Sequence, residues 1–89
     1  MLNITDIRVK PNRKKESKLK ALVSLVIDDC FAVHGIKIIA GADGEFIAMP
    51  TESFSDGVFR DIVHPLNSET REAMKQRILE VYRRVISEE

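Results

Sequence analysis

Hydrophobic and polar positions alternate through the first two thirds of the chain. Thr5, Ile7 and Val9 face one way and Asp6, Arg8 and Lys10 the other, a period of two that predicts a strand with one buried side. Pro11 and Asn12 end it, and the polar run from Arg13 to Lys18 reads as a solvated hairpin loop. Leu19, Ala21, Val23, Leu25 and Ile27 then form a fully apolar side opposite Lys20, Leu22, Ser24, Val26 and Asp28. Asp28-Asp29 is a tight-turn signal, because Asp tolerates the left-handed region. A third strand is expected over Phe31 to Ile39. A hairpin signal at Asp43-Gly44 follows, then a short fourth strand from Phe46 to Met49, stopped by Pro50. Residues 51–57 hold another turn, at Ser55-Asp56-Gly57, and Val58 to Val63 read as a fifth strand. Short connections favour an antiparallel meander.

After Pro65 the period changes. Asn67 or Ser68 can cap a helix, and Glu69 suits the positive end of its dipole. Met74, Ile78, Val81, Tyr82 and Val85 make one apolar stripe, and neither Gly nor Pro interrupts residues 66–89. The expected class is α+β: strands over about 3–64 form a five-stranded antiparallel sheet, followed by an amphipathic helix over about 68–86.

With 89 residues, this is one domain, 1–89. A chain of this length buries only roughly 60–65% of its unfolded surface. A single Cys excludes an internal disulfide, and one Cys with two His excludes a Cys2His2 zinc site. Self-association is the remaining common device for a thin core. No secretory signal or membrane-length apolar run is visible, so a cytoplasmic location is expected.

Charge changes the picture more than composition does. Fourteen basic and fourteen acidic residues give a formal net charge of zero, which excludes a uniformly basic tail protein. Yet residues 8–20 hold seven basic side chains and one acid, a local charge of +6. Segregation of this kind makes a local field that phosphates would answer. It also suits a lysine-rich hairpin that keeps an edge strand soluble. On the helix, Glu72 with Gln76 and Glu80 with Arg84 have ordinary surface-pair spacing.

Candidate chemistry is thin. Asp61, His64 and His34 could supply two His and a carboxylate for a metal, but Asp61 and His64 point to opposite faces of a strand. Cys30 is too far along the strand from His34 for a close pair. His34 reads as a partly buried, hydrogen-bonded residue, and Arg60 with Asp61 as a structural ion-pairing element near the helix start. No Gly-rich phosphate loop opens a helix. The expectation is no enzyme, no cofactor, no metal, no small-molecule substrate and no membrane partner.

Three segments carry a resemblance: Phe31–Gly41, Gly44–Pro50 and Asp56–Asn67. The combination of Ala48-Met49-Pro50 with Phe59-Arg60-Asp61-Ile62-Val63-His64-Pro65 resembles the SpoVG family (stage V sporulation protein G), over residues 1 to about 85. The resemblance implies a bacterial cytoplasmic homodimer with an N-terminal antiparallel sheet and a C-terminal helical segment. It implies a regulator of gene expression that binds DNA and also RNA, linked in sporulating bacteria to asymmetric septation and spore formation. It implies no catalysis. Family contacts to nucleic acid are attributed to the helical segment and nearby basic positions. Arg71 fits the family's helix-start pattern. Where the family usually has Ser and two basic residues after Met-Pro, this chain has Thr51, Glu52 and Ser53, and Gly35 replaces a more usual Asp.

The expected nucleic-acid residues are therefore Arg13, Lys14, Lys15 and Lys18 in the loop, neutralising phosphates, and Arg71, Lys75 and Arg83 on the helix, orienting the protein or touching bases. The competing expectation is an adaptor that controls cell division or transcription through a protein partner, using an apolar surface near Phe54.

Overall fold

The computed structural model describes residues 3–14 and 16–88. The alternating segments form β1 (Ile4–Pro11), β2 (Leu19–Ile27), β3 (Phe31–Gly41) and β4 (Gly44–Ala48). These pair in chain order as one antiparallel four-stranded sheet. The β2–β3 turn places Asp28 and Asp29 at φ 52° and 56°, the left-handed pair that a tight hairpin needs. Cys30 N donates to Ile27 O across it at 3.1 Å.

The chain then leaves the sheet. Thr51–Ser53 is a strand, β5, and it pairs antiparallel with β6 (Phe59–Asp61) in a separate two-stranded sheet. This corrects the expectation of five strands in one sheet and of a strand from Val58 to Val63, while the turn expected at Ser55-Asp56-Gly57 is present. Pro50 lacks the N–H that would continue the β4 ladder. The Asp56-Gly57 turn, with Gly57 at φ 80°, folds the segment on itself instead. Helix α1 (Ser68–Ser87) ends the fold. The class, α+β with an antiparallel meander and a C-terminal helix, is as expected.

One face of the main sheet is apolar and lies under the helix. Ala21, Val23, Leu25, Ile36 and Ile38 are almost wholly buried there. Met74, Ile78, Leu79 and Tyr82 of α1 close over them, and Ile7, Val9 and Ile47 pack at the margin. The helix meets the sheet along β1, where Arg77 Nη1 donates to Ile4 O at 2.8 Å.

A change of phase in β3 makes this face continuous. Val23 pairs with Ile36 but Leu25 pairs with Val33, so His34 and Gly35 together oppose Ser24. Gly35 sits at φ +85°, the conformation of a glycine bulge. The bulge lets Val33, Ile36 and Ile38 share one face although their numbers differ in parity. It also turns His34 outward. His34 is exposed rather than partly buried, with Nδ1 2.9 Å from Ser24 Oγ.

Gly35→Ala is expected to destabilise the fold by about 1–2 kcal/mol, the cost of a Cβ in the left-handed region. The cause is conformational, because that Cβ would meet Pro50 only at 3.6 Å, an ordinary contact. Urea denaturation measures this, and an unchanged midpoint would refute the role given to the bulge. Ile78→Ala, at a fully buried position on the helix, is expected to cost about 2–5 kcal/mol in the same assay.

Candidate nucleic-acid interface

The helix start is fixed locally. Asn67 has extended backbone angles and its side-chain Oδ1 accepts from Thr70 N at 2.8 Å, the geometry of an N-cap. With the start set, Arg71 and Lys75 fall one turn apart. They line a groove of about 300 Å³ between the first turns of α1 and the free edge of the main sheet. Phe46 and Ile47 form its sheet wall, and Met49, Pro65 and Met74 its apolar base. Glu72 also lines it, and its Oε1 accepts from Gln76 at 2.9 Å. A groove with an apolar base, an exposed aromatic on one rim and two cations on the other can hold a polyanion that also presents flat apolar groups.

The basic loop is shaped by Asn12. Its backbone N donates to Lys20 O and its side-chain nitrogen to Leu19 O, both at 2.8 Å. Its Oδ1 accepts from Lys14 N at 3.2 Å. Asn12 thus holds the loop backbone, and Arg13, Lys14 and Lys18 are left exposed. Lys15 lies outside the described residues. Lys18 O accepts from Ala40 N at 2.8 Å, which ties the loop to the end of β3 that turns into β4. Two strand spacings, roughly 10 Å, separate β2 from β4. The loop and the Arg71–Lys75 groove therefore belong to neighbouring parts of one end of the sheet.

Arg83 is not part of that groove. It lies eight residues beyond Lys75, about 12 Å further along the helix and roughly 80° around it. Among the described residues, salt bridges join Arg8 to Asp6, Arg60 to Asp56 and Arg84 to Glu80. Arg13, Lys14, Lys18, Arg71, Lys75 and Arg83 form none with a described carboxylate. The surface pair expected at Glu80–Arg84 is present, as is the Glu72–Gln76 hydrogen bond.

Residues 51–61 carry the departure from the basic pair. Glu52 stands directly opposite Arg60 in the β5–β6 register. Arg60 reaches Asp56 at 3.3 Å and lies over the Phe54 ring at 4.8 Å from its centre, so its ion pair is with the hairpin turn, and the expected element of Arg60 with Asp61 near the helix start is not what the structure shows. No three of His, Cys, Asp and Glu gather in a metal-holding group among the described residues. No described helix is long and apolar enough to cross a membrane.

Two features escaped sequence reasoning. Phe46 was placed in a strand but not on the rim of a groove, because nothing in the pattern says which strand ends at a free edge beside the helix start. Arg77 has no signal of a sheet partner in the helix pattern, yet its guanidinium serves the β1 backbone.

The architecture defined so far is a small α+β domain, a four-stranded meander covered on one face by a single helix and carrying a projecting hairpin. The SpoVG family model matches residues 2–84. Three bacterial proteins, each named "Putative septation protein SpoVG", align with nearly the whole chain. That of Agathobacter rectalis is 54% identical over 92% of this chain and 93% of its own. That of Lachnospira eligens is 52% identical over 91% of each. That of Caldicellulosiruptor bescii is 45% identical over 97% of each. The chain belongs to the SpoVG family.

Asn67→Ala is expected to fray the turn that aims Arg71, at a cost of about 1 kcal/mol. Circular dichroism and thermal melting measure this. Undiminished helicity and stability would show that the cap does not set the helix start.

Proposed function

We propose that this protein is a nucleic-acid-binding regulator that works as a cytoplasmic homodimer, in the process of septation for which its relatives are named, and that it catalyses no reaction. The observation that carries the nucleic-acid part is the pairing of Arg71 and Lys75 beside Phe46, next to a loop in which Arg13, Lys14 and Lys18 have no described carboxylate partner. Phosphates would meet the loop and the groove rim, and these contacts would give affinity more than sequence choice. The acid at Glu52 removes cationic attraction from the hairpin and leaves the task to the loop and the helix.

The dimer part rests on the hairpin. Every residue from 51 to 62 is exposed. Phe31, Phe54 and Phe59 are 62%, 45% and 70% exposed, together on the order of 350 Å² at ~200 Å² per aromatic side chain. Val58, Ile62 and Leu66, the last 91% exposed, add further exposed apolar area. An apolar pocket of about 160 Å³ opens beside it, lined by Leu25, Phe31, Val33, Met49 and Val63. One chain thus offers both an apolar projection and an apolar recess, as an isologous contact requires. The second reading, a protein-interaction adaptor, draws on the same exposed residues.

Affinity for a duplex DNA fragment, measured at several salt concentrations, tests the first part. Each phosphate contact removed by Lys14→Ala, Lys18→Ala, Arg71→Ala or Lys75→Ala is expected to flatten the log K against log salt slope by about 0.9. Unchanged affinity and slope in the fourfold variant would overturn the assignment. Sedimentation tests the second part. The wild type is expected at dimer mass and Phe59→Ser with Ile62→Ser at monomer mass. A wild type that stays monomeric, yet retains protein partners after nuclease treatment and at high salt, would replace this reading by the adaptor.

A further inference from the structure

The helix covers only one face of the main sheet, and the other face is open. Strand register places Asp6, Arg8 and Lys10 of β1 on it, with Leu22 and Ser24 of β2, Ala32, His34 and Lys37 of β3, and Phe46 of β4. The His34–Ser24 contact fixes the same assignment independently. Arg8, Lys10, His34, Lys37 and Phe46 are all exposed. Among the described residues, Asp6 is the one carboxylate that the register places on this face. It meets Arg8 at 3.0 Å, but the Arg8 side chain stays 84% exposed, and such a surface pair binds its partners weakly. The face therefore carries net positive charge on β1 and β3, an aromatic ring on β4 and an imidazole between them.

Its shape selects the polyanion. Four strands span roughly 14 Å between outer axes. A B-DNA major groove of ~12 Å admits a helix or a two-stranded ribbon, not a sheet of this width. A single strand has no such limit. Its unstacked bases can lie on a sheet surface against aromatic rings while cations hold its phosphates.

We propose that the outer face of the β1–β4 sheet is a second nucleic-acid surface, specific for single strands. Arg8, Lys10 and Lys37 hold phosphates there, and Phe46 and His34 offer planes for bases. This rests on the nucleic-acid reading above and adds to it the strand class and a surface on the opposite side of the sheet from Arg71 and Lys75. Phe46, on the edge strand, stands where the two surfaces meet.

The test compares a single strand of about 16 nucleotides, the upper end of known single-strand site sizes, with a duplex of the same sequence, by fluorescence anisotropy. Circular dichroism verifies the fold of each variant. The combined Arg8→Ala, Lys10→Ala, Lys37→Ala variant is expected to lose single-strand affinity tenfold or more and to lower its salt slope by about 2, at ~0.7 per phosphate. Its duplex affinity is expected to remain. Phe46→Leu, which keeps an apolar side chain but removes the ring, is expected to weaken single-strand binding about fivefold or more. Three results overturn the proposal. If the triple variant binds the single strand normally while Arg71→Ala with Lys75→Ala does not, the sheet face is excluded and the broader reading stands. If the triple variant loses single strand and duplex equally, the strand preference falls. If the wild type binds neither, both readings fall together.

Discussion

The seating of one helix on one sheet face is the constraint on which the molecule depends. Ile78 and Leu79 are buried against Val23, Ile36 and Ile38 of the inner face. With one Cys in the chain and one helix among the described residues, this contact closes the core of a chain of 89 residues. α1 runs from the β4 edge, where its first turns lie, to β1, where Arg77 meets Ile4. That geometry, and not local charge alone, brings Arg71 and Lys75 to Phe46. The same asymmetry leaves the other sheet face without cover.

Much of this was legible in the alternation of side chains. The period of two gave β1 and β2 nearly to the residue, and Asp28-Asp29 announced its turn through backbone tolerance. The helix was plain from its stripe and its cap, although Leu79 was not assigned to the buried set. What failed was pairing. Residues 51–53 have no apolar alternation, since both faces of that hairpin are exposed, so the pattern held no sign of β5. Val58 to Val63 looked like a strand of the main sheet because periodicity reports a strand's faces and not its neighbours.

The bulge at Gly35 shows the same limit from another side. A strict alternation through β3 would put His34, Ile36 and Ile38 on one face. The structure instead shifts phase between Val33 and Ile36, which buries the isoleucines and exposes the imidazole. Gly35 was the visible signal, as an isolated glycine within a strand pattern often marks a bulge. The candidate site was legible in part for a related reason. Charge clustering on 8–20 is a property of the sequence, but its division between a loop and an open sheet face is a property of register.

Net neutrality and local segregation act together in this chain. A protein with zero net charge has little long-range repulsion between copies, so exposed apolar residues such as Phe59 and Ile62 can approach their counterparts. A strongly basic chain of the same fold would bind phosphates from any direction and resist association. Here most acids sit in the turns, on the hairpin and along the helix, Asp6 and Glu16 being exceptions, while the loop and the outer sheet face keep an excess of cations. Positive charge is thereby concentrated on the loop and the outer sheet face, and Glu52 opposite Arg60 leaves the hairpin without a cationic excess.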